Sequence, residues 1–157
     1  MNLEEKLKKI SQNRKKKDSE INWDKKRDTW IDQVSKLYED IEKWLETYIE
    51  KNYISLHFYE IALSEENIGK YDISVLELDL GEPSVVFRPV GANIIGADGR
   101  VDVYMNGHLS DKKMLILREE KEQIFQWELW DTTDKSDRKP FDCEALEKIL
   151  DEWLAYY

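Results

Sequence analysis

The stretch RPVGANIIGADGRVDVYMNG, Arg88 to Gly107, holds four of the chain's six glycines, together with Pro89 and the pair Arg100 and Asp102. Its reading decides the fold. A glycine-rich turn running from a strand into a helix N-terminus cradles phosphate and belongs to a parallel α/β sheet. The same glycines between two strands are only the turns of an antiparallel sheet. Here the preceding VVFRPV is a strand, and Arg100 to Met105 alternates. Val101, Val103 and Met105 share one face; Arg100, Asp102 and Tyr104 share the other. Both flanks are strands, so no helix N-terminus is available for a phosphate. Pro89 has no N–H to give a ladder and ends or edges its strand. Gly91 turns the chain, Ile94-Ile95 reads as a short buried strand, and Asp98-Gly99 is a hairpin dipeptide. The glycines therefore serve two closely spaced turns, and Arg100 with Asp102 forms a strand-surface pair.

Outward from this stretch the period-two pattern continues on both sides. YISLHFYEIA from Tyr53 and ISVLELDL from Ile73 are strands, with SEENIGKY (Ser64 to Tyr71) as a loop between them and GEPS (Gly81 to Ser84) as a turn. MLILR and IFQWELW follow, separated by EEKEQ. Phe125, Trp127 and Leu129 share one face of the last strand, and Trp130 lies on the other. DTTDKSDRKP is a solvated loop. Before the strands, Trp30, Ile31, Val34, Leu37, Tyr38, Ile41, Trp44, Leu45, Tyr48 and Ile49 recur every three or four residues, one apolar stripe of a helix capped by Asn22 or Thr29. After them, Ala145, Leu146, Ile149, Leu150, Trp153 and Leu154 stripe a helix with Asp142 as N-cap. No strand pair is separated by a crossover helix. The expected fold is α+β: N-terminal helices, an antiparallel meander of about six to seven strands, and a C-terminal helix. Trp44, Phe58, Trp127 and Trp153 lie on inward phases and are expected to share one core.

A chain of 157 residues suits one domain. Residues 1–22 read as a basic helical arm and 23–157 as the domain. The net charge of −10 is uneven: residues 1–27 carry ten Lys/Arg against five Asp/Glu, and the remainder 14 against 29. An acidic body repels nucleic acid, so nucleic acid is not an expected partner. The single cysteine, Cys143, excludes an internal disulfide and fits a reducing compartment. The N-terminus is charged throughout, and no run approaches the roughly 18 apolar residues a membrane span requires. A cytoplasmic protein without a membrane segment is the expectation.

The sharpest enzymatic pattern is that of a restriction-endonuclease-like metal site. Asp102 and Glu119 would hold Mg²⁺, Lys121 would orient the attacking water, and Glu42 or Glu46 could join them. Against it stand the hydrophilic Glu119 to Glu122, which reads as a hairpin end, and the absence of a helix crossover after that strand. His57 and His108 lie fifty residues apart without a cysteine pair and make no zinc pattern; His108 with Asp111 is a loop dyad of low specificity. Cys143 sits near a helix N-terminus, where the dipole can lower a thiol pKa, though a semi-buried structural cysteine is the simpler reading. No residue pattern calls for a cofactor or a resident metal.

Pro89-Val90-Gly91, then Ile94-Ile95-Gly96-Ala97 and Gly99-Arg100-Val101-Asp102, then an apolar strand, then Trp127 before a capped helix, resembles a group of small uncharacterised bacterial proteins. The resemblance covers roughly residues 85–155. It implies a shared fold and a bacterial source, and nothing about catalysis. The functional expectation is a non-catalytic protein-binding module, in the manner of an immunity or accessory protein of a bacterial defence or toxin system. The alternatives are the metal-dependent nuclease and a small-ligand-binding domain with a pocket between sheet and helices. For contacts, Leu3, Leu7 and Ile10 with Lys15, Lys16 and Lys17 mark the arm, which invites a homodimer through the N-terminal helices. Trp153, Tyr156 and Tyr157 form a second candidate contact.

Overall fold

The computed structural model describes residues 2–131 and 138–155, and of residues 14–20 the backbone alone. The architecture is α+β. Helix α1 (Leu3–Glu20) leads into α2 (Trp23–Trp44) and the short α3 (Glu46–Glu50). Seven strands follow: β1 (Ser55–Glu65), β2 (Gly69–Asp79), β3 (Ser84–Gly91), β4 (Gly99–Met105), β5 (His108–Lys121), β6 (Ile124–Asp131) and β7 (Arg138–Pro140). Helix α4 (Cys143–Leu154) closes the chain. The strands lie side by side in sequence order, every pair antiparallel.

The helix boundaries follow from side-chain caps. Asn2 accepts from Glu5 N at 2.9 Å to start α1, and Asn22, not Thr29, accepts from Lys25 N at 3.0 Å to start α2. Asp142 accepts from Ala145 N at 2.9 Å to start α4. The stripe of α2 packs Trp30, Val34, Leu37, Tyr38, Ile41 and Leu45 onto one sheet face, beside Leu146, Ile149 and Trp153 of α4. The strands answer with Leu76, Leu78, Phe87, Val101, Val103, Leu115 and Leu117. Gly99 is required here by close approach: a Cβ on it would overlap the six-membered ring of Trp30.

Four readings of the sequence are corrected. Ile94-Ile95 is not a buried strand: Ile95 is fully exposed, and only an isolated bridge joins Ile94 to Ala97. The reason is Glu65. Its Oε1 accepts the amides of Ala92 at 2.9 Å and Asn93 at 2.8 Å, so donors that a strand would give to a ladder go to a carboxylate. The segment Ser64 to Tyr71 is a tight hairpin rather than a loop, turning at Asn67 with φ 67° and Gly69 with φ 87°. The end of the acidic and basic stretch before α4 contributes a short edge strand, β7, whose Pro140 needs no outer partner. Phe58 touches Tyr38 at 6.1 Å between ring centroids but remains half exposed, because β1 is an edge strand of the sheet. Trp44 and Trp127 are partly buried against the core, and Trp153 lies inside it.

Tyr38 explains a further departure from simple alternation. Strand β2 pairs with β3 only from Leu76 to Asp79, and beyond that the β1–β2 hairpin runs on alone. Its inward phase changes there, from Leu78 and Leu76 to Ile73 and Tyr71. The parting strands would leave buried carbonyls without partners. The Tyr38 hydroxyl fills the gap, donating to Ser74 O at 2.7 Å with Phe87 O at 3.3 Å.

Candidate interaction face

All buried residues of α2 and α4 belong to the cluster on one side of the sheet. The other side has its own buried floor of Val75, Val86, Met114 and Ile116, which stand apart from that cluster. Directly paired residues on neighbouring strands point the same way. The register therefore aligns Arg88, Asp102, Met114, Trp130 and Arg138 in one row across five strands. A parallel row runs through His57, Glu77, Val86 and Tyr104, and another through Arg100, Ile116 and Glu128. Long side chains thus cover small aliphatic ones without a helix above them.

The row is organised around two acids and one indole. Asp102 is buried; Arg100 Nε lies 2.7 Å from its Oδ1, and Arg100 NH2 and Lys112 Nζ lie 3.2 and 3.3 Å from its Oδ2. Glu128 forms an ion pair with Arg118, its Oε1 3.1 Å from Nε, and accepts a hydrogen bond from Trp130 Nε1 at 3.0 Å. Two guanidinium groups approach the Trp130 ring, Arg138 at 4.3 Å and Arg118 at 5.5 Å from its centroid. Four of the six arginines, Arg88, Arg100, Arg118 and Arg138, sit on this face. The helix side is the reverse: Glu39, Asp40, Glu42, Glu46, Glu144, Glu147, Asp151 and Glu152 are all exposed there. The alternation of β4 already set Arg100, Asp102 and Tyr104 on an outward face. What sequence reasoning missed was the alignment with Trp130 and Arg138, which only the register provides.

The three residues of the nuclease pattern do not meet. Asp102 lies opposite Met114, and Glu119 is five residues farther along β5, roughly 17 Å away. Glu119 is also on the opposite phase from Met114, so it points to the other side of the sheet. Its backbone N–H donates to Asp98 Oδ2 at 2.8 Å, and its carboxylate accepts from Gln123 N at 3.2 Å. Lys121 lies past a register shift, opposite Ile124 in the hairpin end, and is exposed. Glu42 and Glu46 face solvent on the helix side. Among the described residues, no three His, Cys, Asp or Glu side chains gather as metal ligands would.

His57 sits on the outward phase of β1, 3.7 Å from Asp79, and His108 is exposed at the start of β5. Cys143 occupies the first turn of α4, yet its thiol pKa is pushed up, first by desolvation and then by the Glu147 and Asp142 carboxylates. In the arm, Leu3, Leu7 and Ile10 are exposed along α1, at 72%, 57% and 58%. The side chains of Lys15, Lys16 and Lys17 lie outside the described residues, as do Tyr156 and Tyr157. Trp153 is not available for contact, being 3% exposed within the core. No described helix is long and apolar enough to cross a membrane.

No family model, curated protein or solved structure matches this chain.

Proposed function

We propose that the protein is a non-catalytic protein-binding module and that it docks through the helix-free face of its sheet. The observation that carries this reading is the row Arg88, Asp102, Met114, Trp130 and Arg138. Protein interfaces are enriched in tryptophan, tyrosine, methionine and arginine, and their energy concentrates in a few such residues over a dry floor. Here the floor is Val75, Val86, Met114 and Ile116, and the anchors are Trp130 and its flanking arginines. Trp130 is restrained by its bond to Glu128, which lowers the entropy lost on docking. The partner that suits this face is a protein surface presenting carboxylates beside apolar groups. An immunity or accessory protein of a bacterial defence or toxin system is the class of protein this describes. The nuclease reading has no support in the register, which separates Asp102 from Glu119.

The experiment is affinity capture from the native cell with the wild-type chain, with Trp130→Ala/Arg138→Ala, and with Glu39→Lys/Glu42→Lys on the helix side. A bound protein is then purified and titrated directly. The reading expects one partner that survives the helix-side change and weakens about tenfold or more with the sheet-face change. A partner indifferent to Trp130 and Arg138 overturns it.

A further inference from the structure

The helix side holds an open groove of about 760 Å³ between α3, the start of β1 and α4. Its wall is apolar, and Tyr48, Tyr53 and Leu154 remain 39%, 66% and 40% exposed. Its rim is mainly acidic: Glu144, Glu147 and Asp151 line it from α4, against one cation, Lys148. Those three stand at i, i+3 and i+7, one stripe of carboxylates along the helix. The chain also carries the complement of this groove. Leu3, Leu7 and Ile10 lie at i, i+4 and i+7 on α1, an exposed apolar ridge about 10 Å long. Lys6, Lys8 and Lys9 stand exposed around it.

We propose that α1 of a second copy occupies this groove, with the two chains exchanging arms in a symmetric dimer. Leu3, Leu7 and Ile10 lie against Tyr48, Tyr53 and Leu154, and the arm's lysines face the α4 carboxylates. Three features support this occupant, and the last two favour a second copy over the chain's own arm. The first is charge, since an arm with ten Lys/Arg against five Asp/Glu over residues 1–27 meets a carboxylate rim. The second is reach. The arm's apolar residues lie about 15 to 26 Å from the break at Ile21 and Asn22, whereas Leu45 to Tyr48 lie roughly 33 to 38 Å along the α2 direction. Folded back along α2, the arm would leave Ile10 over charged helix surface, far short of the groove. The third is that α1 packs no apolar residue on its own chain, whereas most helical stability in proteins comes from packing an apolar face. The contact is separate from the sheet face proposed above and does not depend on it. Reciprocal exchange makes two equal interfaces related by a two-fold axis, which closes the assembly at two copies.

The test is sedimentation of the full-length chain at low and high salt, with an arm variant (Lys6→Glu/Lys9→Glu), a groove variant (Glu147→Lys/Asp151→Lys), the four changes combined, and Leu7→Asp. All the altered residues are exposed, and circular dichroism checks that each variant keeps its helices. The expected wild type is a dimer that weakens with salt. Each pair of charge reversals should weaken it by about tenfold, and the combination should restore it. Leu7→Asp should give monomer. Mixing Leu7→Asp with the groove variant should restore one contact and yield a heterodimer, since one chain keeps its groove and the other its arm. A wild type that is monomeric at all concentrations, a dimer indifferent to the groove variant, or a combination that fails to recover each overturns the proposal.

Discussion

The Ala92 amide nitrogen lies 2.9 Å from Glu65 Oε1, across twenty-seven residues of sequence. The same oxygen takes the Asn93 amide, and the other carboxylate oxygen accepts the Tyr71 hydroxyl. One side chain thus ties the tip of the β1–β2 hairpin to the glycine-rich segment that follows β3. Glu65→Ala should cost about 2 kcal/mol, the range for lost hydrogen bonds to a charged group. Hydrogen exchange at Ala92 and Asn93 should quicken by more than exchange elsewhere in the sheet. Gly91→Ala should be similarly harmful, because a Cβ there would come within 2.5 Å of Glu65 Oε1. Unchanged protection of both amides in either variant would show that the tie does not hold the segment.

Gly99 and Trp30 make a second close approach. Gly99→Ala should force the indole out of its seat and cost about 1–3 kcal/mol, as overpacking does. Trp30→Ala should cost about 3–5 kcal/mol, as for buried aromatics generally. Trp44→Ala should cost less than Trp30→Ala, since Trp44 is only partly buried and meets Phe141 edge-on at 5.6 Å between centroids. Denaturant melts of the three variants give the order directly, and a Trp44 cost above that of Trp30 would contradict the packing described.

Tyr38 and Tyr71 both have phenol pKa values pushed up, chiefly by burial, and for Tyr71 also by Glu65. The unfolded chain ionises its tyrosines above about pH 10. The stabilisation from the two neutral phenols is therefore complete below that pH and is lost as pH rises past it. Urea midpoints should fall steeply in that alkaline range. Tyr38→Phe should lower stability by about 1–3 kcal/mol at neutral pH, because Ser74 O and Phe87 O lose their buried donor. It should also flatten the alkaline fall, and a mutant whose alkaline slope matched the wild type would exclude Tyr38 as a source.

Asp102→Ala removes an ion-pair partner of Arg100 and of Lys112. The cations are partly wet, so the expected cost is about 1–2 kcal/mol rather than that of a fully buried pair. Plasmid and RNA incubated with Mg²⁺ or Mn²⁺ should stay intact with wild type and mutant alike. Cleavage by the wild type that disappears in Asp102→Ala would return the nuclease reading to first place.

The α2 stripe, both helix caps at Asn22 and Asp142, and the alternation of β4 were legible because each is a local pattern. Periodicity states which way a residue points but not what stands above it. Phe58 has the inward phase and is half exposed, because edge position is a property of the sheet and not of the strand. Ile94 and Ile95 look like buried strand residues until the donors of Ala92 and Asn93 are seen to belong to Glu65, a tertiary contact that no window around them contains. The interaction face was half visible. Arg100, Asp102 and Tyr104 share a side by count alone, yet placing Trp130 and Arg138 in the same row required the register of three more strand pairs. The helix dipole at Cys143 is a local signal, but desolvation and then the Glu147 and Asp142 carboxylates push its thiol the other way, in keeping with the structural reading.

The strand order carries a consequence for how the chain folds as it is made. Every strand pairs with the one just synthesised, so each pair can close over a connection of seven residues or fewer at small entropic cost, without waiting for distant chain. The helices have no such freedom. The stripe of α2 emerges first but stays uncovered until β2 to β5 provide its floor, and Trp44 meets Phe141 only when almost the whole chain has appeared. The sheet can therefore zip progressively, while the apolar side of α2 is the surface left waiting and the one most exposed to wrong partners during synthesis.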